Sequence, residues 1–369
     1  MRILLIGEYS NLHNSLAFGL RALGHEVCLV SDGDIWKAYN SDIFIRRKGV
    51  RAIDSLHYVA QLLYYLPRFT GYDVVQLINP CFFHLKADRL RPIYRFLRRY
   101  NKRIFLGAFG VDAYWIKACL DNKTFRYSDF YVGGKHRTNH YTEFEKTDWI
   151  GSSKEHLNEW IAADCDGIIA CLYEYWAAYQ LLFPDKTAYI PLPIEPTEIA
   201  HKTFEKPIDK VRFFIGIQKD RSIVKGTDVI EPILDQIAAD YPDECEVIKA
   251  VSVPYKQYKE MLHSAHVLID QLYSYTPAMN ALLGMAKGLI AVSGAEPEHY
   301  KLMQEETLHP IVNILPDEKQ IYQTFEKIIA DKHNIAAQSA ASVAYIQKHH
   351  LATNVAQQYL DFWSRCARK

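Results

Sequence analysis

The chain of 369 residues has no surplus of either charge: 43 Lys and Arg stand against 43 Asp and Glu. A net charge of zero excludes a general pull toward nucleic acid, so any anion site must be local. Paired cysteines are missing as well. The seven cysteines (Cys28, Cys81, Cys119, Cys165, Cys171, Cys245 and Cys366) are scattered, odd in number and free of any CxxC spacing. This excludes a disulfide framework and a zinc site, and it points to a reducing compartment. No stretch reaches the ~18 apolar residues that a membrane span needs. The opening MRILLIGEYS is too short for a signal-peptide core and meets Glu8 at once. A cytoplasmic protein is expected.

Aromatic residues are abundant, with 25 Tyr, 17 Phe and 6 Trp. They suit sugar faces, but most belong in cores. The length is too great for one ordinary core and predicts two domains. Arg2 to Gly7 is an apolar run ending in Gly and reads as a buried parallel strand. Leu12 to Leu23 has helical spacing, and Glu26 to Ser31 is the next strand. Further strands are expected at 74–78, 103–106, 166–171 and 189–194, with a helix at 90–100. Residues from about 196 to 210 have the composition of a linker.

The alternation then restarts. Strands are expected at 211–215, 245–250, 267–270, 288–293 and 311–314, with helices at 228–241, 255–264, 277–287, 318–330 and 335–365. Two such series predict an α/β protein of two tandem doubly wound, Rossmann-like domains facing a cleft. The expected division is 1–200, 201–345 and a C-terminal helix, 346–369, able to cross back to the first domain. Residues 114–157 break the pattern. They read as loops and short helices near the cleft, which either shape acceptor binding or are a decorative insertion.

Several segments carry candidate chemistry. In GIQKDRSIVKGTD, Gly216 ends a strand, Lys219, Arg221 and Lys225 follow, and Gly226 precedes a helix. Helix N–H groups plus flexible cations make a diphosphate cradle; the bland alternative is a solvated basic loop with Thr227 as helix cap. After the strand ending at Asp270, Tyr275, Thr276 and Asn280 open a helix toward the same cleft end and are expected to hold phosphate or ribose, unless they simply cap it. Glu296 and Glu298, in GAEPEHY, are candidates for sugar or ribose hydroxyls, against a reading as solvated surface acids. In the first half, Gly7 allows close backbone approach. His13 and Asp112 are the catalytic candidates; the alternatives are a packing histidine and a helix-capping aspartate. Arg89 to Arg103 holds six arginines and one lysine. An ordinary packed helix with a solvated face is the simpler reading of it. The other is a peripheral contact with anionic lipid on the inner membrane face.

Together these segments resemble the retaining GT-B glycosyltransferases of family 4. The carriers are KGTD at Lys225–Asp228, HVLIDQLY, LLGMAKGLIAVSG at Leu282–Gly294, and the opening GEYSNLHNSLAFGLRALGHEV. The resemblance implies a nucleotide-diphosphate sugar donor held by Arg221 and Lys225. It implies transfer to a glycan or lipid-linked acceptor, with anomeric retention and no protein nucleophile. It further implies surface-polysaccharide or lipopolysaccharide assembly, without metal or other cofactor. No DxD pair stands in a suitable loop. The family's two glutamates, separated by seven residues, fall at Tyr275 and Leu283. Their absence keeps open a second reading, a non-catalytic sugar-nucleotide binder or scaffold of a polysaccharide assembly system.

Overall fold

The structure is a computed structural model and describes residues 1–34, 39–49, 51–200 and 207–366. The first half contributes β1 (Arg2–Ile6), β2 (Glu26–Ser31), β3 (Ile43–Phe44), β4 (Val74–Leu77) and β5 (Ile104–Ala108). A small antiparallel hairpin, β6 (Tyr131–Val132) and β7 (Lys135–His136), precedes β8 (Gly167–Ala170) and β9 (Thr187–Tyr189). Apart from the hairpin, these strands form one parallel sheet in the order β3-β2-β1-β4-β5-β8-β9. The second half contributes β10 (Val211–Ile217), β11 (Cys245–Val251), β12 (Val267–Ile269), β13 (Ile290–Ser293) and β14 (Val312–Asn313). They form a second parallel sheet, β11-β10-β12-β13-β14. This is the expected pair of doubly wound domains.

The unbroken apolar run of β1 has a simple cause. Leu4 and Ile6 enter the core on one face of the sheet, and Ile3 and Leu5 enter the core on the other. Side chains alternate along a strand, so a sheet covered on both faces needs apolar residues at every position. The second of those cores is completed from far away in the chain. Helix Ala352–Arg365 lays Val355, Tyr359 and Trp363 beside Leu16 and Leu20 of helix Leu12–Ala22. A Cβ at Gly19 would lie 2.1 Å from the Ala352 carbonyl, so only glycine allows this approach. Trp363 Nε1 also donates to Gln76 Oε1 at 3.3 Å, beneath the sheet.

Three local expectations change. The strand expected at 189–194 ends at Tyr189, because Pro191 and Pro193 have no N–H to give a ladder. The single helix expected at 335–365 is two, Ile335–His349 and Ala352–Arg365. Between them the backbone pairs with Ile194: Ile194 N donates to His350 O at 2.6 Å, and Ala352 N donates to Ile194 O at 2.8 Å. The chain passes there from the second domain back to the first. Finally, β10 does not stop at Gly216 but continues to Ile217. The linker expected at 196–210 falls partly on residues 201–206, which lie outside the described residues.

Candidate functional site

A cavity of about 520 Å3 opens where the carboxyl ends of the two sheets face each other. Strand order reverses at β1/β4 in the first sheet and at β10/β12 in the second. Loops diverge at such switch points and leave a crevice. The first domain lends Tyr9 and Ser10 after β1, and Phe109 to Val111 after β5. From the second domain come Arg221, Val224 and Lys225 after β10, and Gln271, Tyr273 and Ser274 after β12. A third wall is built by the segment between β5 and β8, through Asp129 and through Tyr141, Glu145 and Trp149 of helix His140–Trp149.

The loop after β10 is not open. Lys219–Arg221 makes a 3-10 turn, Ser222–Lys225 a single helical turn, and Gly226 then starts helix Thr227–Asp240. Gly226 has φ of 73°, a left-handed conformation that favours glycine. A Cβ there would also lie 2.5 Å from Leu272 Cβ. The cap of the helix is therefore Gly226, not Thr227, whose hydroxyl lies 2.7 Å from Ser222 Oγ. Leu272 N donates to Lys225 O at 2.9 Å, joining the loops after β10 and β12. Lys225 Nζ pairs with Asp270 Oδ1 at 3.1 Å. Asn280 Nδ2 donates to the same oxygen at 3.0 Å, and Tyr258 OH donates to Asn280 Oδ1 at 2.9 Å. Asn280 thus orients Asp270, and Asp270 orients Lys225. Arg221 is exposed at the cavity, facing acidic neighbours on the third wall.

Those neighbours are Asp129 and Glu145. Burial pushes the Asp129 carboxyl up to about 7, against the pull of Arg137 and Arg221; Glu174 adds to the rise. Glu145 is raised too, by burial and by Asp148. The cavity therefore sets two cations on its second-domain side against two carboxyl groups opposite.

Four of the expected donor contacts are engaged elsewhere. Tyr275 is buried, with the rings of Tyr127 and Tyr173 stacked on it at 4.8 and 5.3 Å. Its OH accepts from Arg126 N at 2.6 Å. The backbone N–H groups of Tyr275 and Thr276 donate to Glu174 Oε1 at 2.5 and 3.2 Å, and Thr276 Oγ1 accepts from Tyr173 N at 2.9 Å. Glu296 accepts from Arg126 Nη2 at 2.6 Å, Tyr127 OH at 2.7 Å and Asn313 Nδ2 at 3.2 Å. Glu298 pairs with the same Arg126. These residues hold the two domains together and present no free group to the cavity. Gly294 lets this happen: a Cβ there would lie 1.7 Å from the Ser274 carbonyl, so the turn before Glu296 packs directly on the Tyr275 loop.

The remaining candidates divide clearly. Gly216 sits within β10, where a Cβ would meet the Tyr258 ring at 2.8 Å. Lys219 is exposed and does not line the cavity. Asp112 and His13 do not line it either. Asp112 is fully buried and caps helix Ala113–Leu120, accepting from Trp115 N at 2.9 Å and from Tyr179 OH at 2.8 Å. Burial lifts its carboxyl to about 6. His13 is equally buried, its Nδ1–H donating to Gly7 O at 2.8 Å. Burial lowers its pKa to about 4, so the ring is neutral. The geometry makes one a cap and the other a packing residue. Gly7, with φ of 91°, borders a second cavity of about 100 Å3 beside the first, together with Glu8, Asp32 and Tyr58. Among the described residues no group of three His, Cys, Asp or Glu is placed to hold a metal ion.

Comparison with solved structures fits this geometry. A structure of Anabaena Alr3699/HepE with UDP and glucose matches with a TM-score of 0.61 at 10% identity, covering 99% of this chain and 100% of that one. WaaG, a glycosyltransferase involved in lipopolysaccharide biosynthesis, matches with a TM-score of 0.53 at 13% identity over 99% and 100%. The lipopolysaccharide outer core galactosyltransferase WaaB matches with 0.53 at 10% over 98% and 99%. No protein-family model matches the chain, and no curated protein matches its sequence. The fold is that of the GT-B glycosyltransferases.

Proposed function

We propose that the chain is a glycosyltransferase that moves a hexosyl group from a nucleotide-diphosphate donor to a glycan or lipid-linked hydroxyl within the interdomain cavity. Surface-polysaccharide or lipopolysaccharide assembly in the cytoplasm is its setting, and no metal or cofactor takes part. The observation that carries this reading is the pair Arg221 and Lys225 at the switch point of the second sheet, aimed into a cavity shared by both domains. The leaving group gains negative charge as the glycosidic bond breaks. Cations fixed beforehand stabilise that charge without reorganising. Asp270 and Asn280 hold Lys225 in place. The WaaG and WaaB likenesses and the UDP-bound HepE structures support a sugar-nucleotide substrate, with a uracil base as first choice.

On the stereochemical course, the family resemblance supports retention, in which the donor phosphate accepts the proton. Asp129 favours a second course. Its carboxyl lines the cavity opposite Arg221 and has a pKa about 7, where a carboxylate can accept a hydroxyl proton at neutral pH. Direct attack assisted by that base would invert the anomeric centre. NMR of the product anomer separates the two courses.

The first test is calorimetric titration with UDP, GDP, ADP and CMP. Selective micromolar binding of one diphosphate is expected. Arg221→Ala removes a charge-assisted bond worth roughly 1.5–3 kcal/mol, and so roughly ten- to hundredfold in Kd. Lys225→Ala loses at least as much and also leaves Asp270 buried without its cation. Unchanged affinity in both variants overturns the site. Failure of all four nucleotides to bind favours the scaffold reading.

A further inference from the structure

Among the described residues, four of the seven large apolar side chains that are at least 60% exposed stand on one helix; the other three are Phe144, Leu181 and Leu182. In helix Ala52–Tyr65, Ile53 is 66% exposed, Leu56 70%, Leu63 62% and Tyr64 68%. Ala60 and Pro67, also exposed, continue the same line. The spacings of three, four, three and one place all the helical members on one face. The opposite face is spent on the core, with Asp54, Tyr58 and Leu62 buried. An exposed apolar face of four large side chains is unusual on a soluble domain and marks a contact surface.

Charge identifies the partner. From Arg46 to Arg68 there are five cations, Arg46, Arg47, Lys48, Arg51 and Arg68, and one acid, Asp54. All five cations are exposed and lie at the two ends of the apolar line. Asp54 is turned inward, onto the Arg51 side chain and backbone N–H. An apolar face on a helix about 21 Å long, bracketed by cations and with no exposed acid between Arg46 and Arg68, is complementary to lipid acyl chains beneath anionic headgroups.

The arginine-rich helix, for which a lipid contact was the alternative to an ordinary packed helix, lacks this design. In helix Ala87–Tyr100 the apolar side chains Leu90, Tyr94 and Leu97 are buried. Three of its cations pack against the protein: Arg98 pairs with Asp164 and Asp166, and Arg91 and Arg95 lie over the Trp160 ring. Just beyond it, Lys102 pairs with Asp73 and Arg103 donates to Trp363 O.

We infer that the exposed face of helix Ala52–Tyr65 seats the protein on an anionic lipid surface. The helix's inner face reaches the acceptor side of the molecule. Tyr58 accepts from His84 N at 3.0 Å and borders the second cavity, which meets the first at Tyr9 and Asp34. On the reading proposed above, seating at this helix brings a lipid-linked acceptor to the first-domain side of the cleft.

The test is sedimentation of the full chain with phosphatidylcholine vesicles, alone or with about one third phosphatidylglycerol. Binding to the anionic vesicles only is expected, weakening several-fold from about 0.1 to about 0.5 M salt. The double variant Leu56→Glu, Leu63→Glu changes exposed positions and should lower the partition coefficient by roughly tenfold or more. A control variant, Arg95→Gln with Arg99→Gln, should bind as the parent does. Absence of binding to anionic vesicles overturns the inference, as does full binding by the Leu56, Leu63 variant. A concentration-dependent dimer that the same variant abolishes, without vesicle binding, makes the occupant a second copy and also overturns it. No nucleotide enters this assay, so its failure is separate from failure of the donor site.

Discussion

Replacing Glu8 by Gln should flatten the pH dependence of stability between about pH 5 and pH 8. Glu8 follows β1 and is 3% exposed. One carboxyl oxygen accepts from Asn14 N at 2.8 Å, and the other, Oε1, has no donor among the described residues. Burial, opposed by the N–H groups at the start of helix Leu12–Ala22 and reinforced by Asp34, pushes its pKa up to about 8. The sign follows from proton counting. Between the ordinary carboxylate value and 8, the unfolded chain has released its proton while the folded chain keeps it. Raising the pH through that window therefore destabilises the fold, by up to about 1.4 kcal/mol per unit. From pH 6 to pH 8 the loss from this one group is on the order of 2–3 kcal/mol. Glutamine has nearly the same shape, bears no charge and does not titrate. Urea unfolding of parent and variant at pH 6, 7 and 8 measures the difference directly. Because other titrating groups are common to both proteins, the gap between the two curves reports Glu8 alone. The variant should gain on the parent steadily as pH rises. Parallel curves would show that water or a cation reaches Oε1 and that Glu8 is an ordinary carboxylate.

Other outcomes follow from the same geometry. Asp112→Ala removes a helix cap and leaves the buried Tyr179 O–H without its acceptor, though its oxygen still accepts from Asn158; the change should cost roughly 2–4 kcal/mol in urea unfolding. A variant of parental stability that has lost only transfer activity would return Asp112 to the chemistry. Arg126→Gln breaks the ion pairs to Glu296 and Glu298; with Arg126 itself about half exposed, the loss should be about 1 kcal/mol. Small-angle scattering should show a wider separation of domains, and an unchanged profile counts against the latch. Arg126 holds the Glu298 carboxyl below its ordinary value. That contribution is therefore complete at neutral pH and is lost as acid protonates the glutamate.

Much of the fold was legible because each domain writes its own period. The apolar run of β1 and the helical spacing of Leu12–Ala22 are local signals, and most strand and helix positions follow from such signals. What failed was non-local. The break at His350 exists only because Ile194, more than 150 residues earlier, pairs with the backbone there. The same reason governs the site. Lys225 and Arg221 reach the cavity because a strand end and a following helix place them, and both are visible nearby in sequence. Glu296 and Tyr275 looked equally suitable, yet their partners Arg126, Tyr127 and Glu174 stand 101 to 170 residues away. Asp129 and Glu145 lay in the segment that broke the alternation, where composition alone gave no periodic signal to orient them. Irregularity within a strongly alternating chain was itself the clue that this stretch lines the cleft.

The return of helix Ala352–Arg365 to the first domain also sets a timetable for synthesis. The surface formed by Leu16 and Leu20 leaves the ribosome well before its partners Val355, Tyr359 and Trp363, which follow much later in the same chain. At ordinary elongation rates the interval is on the order of tens of seconds. Throughout it, the first sheet has one face incompletely covered. The second domain can form independently in that time, but the first cannot close until helix Ala352–Arg365 has emerged. During that interval the exposed apolar surface belongs to the first domain rather than the second, and slow translation ahead of helix Ala352–Arg365 would prolong the exposure.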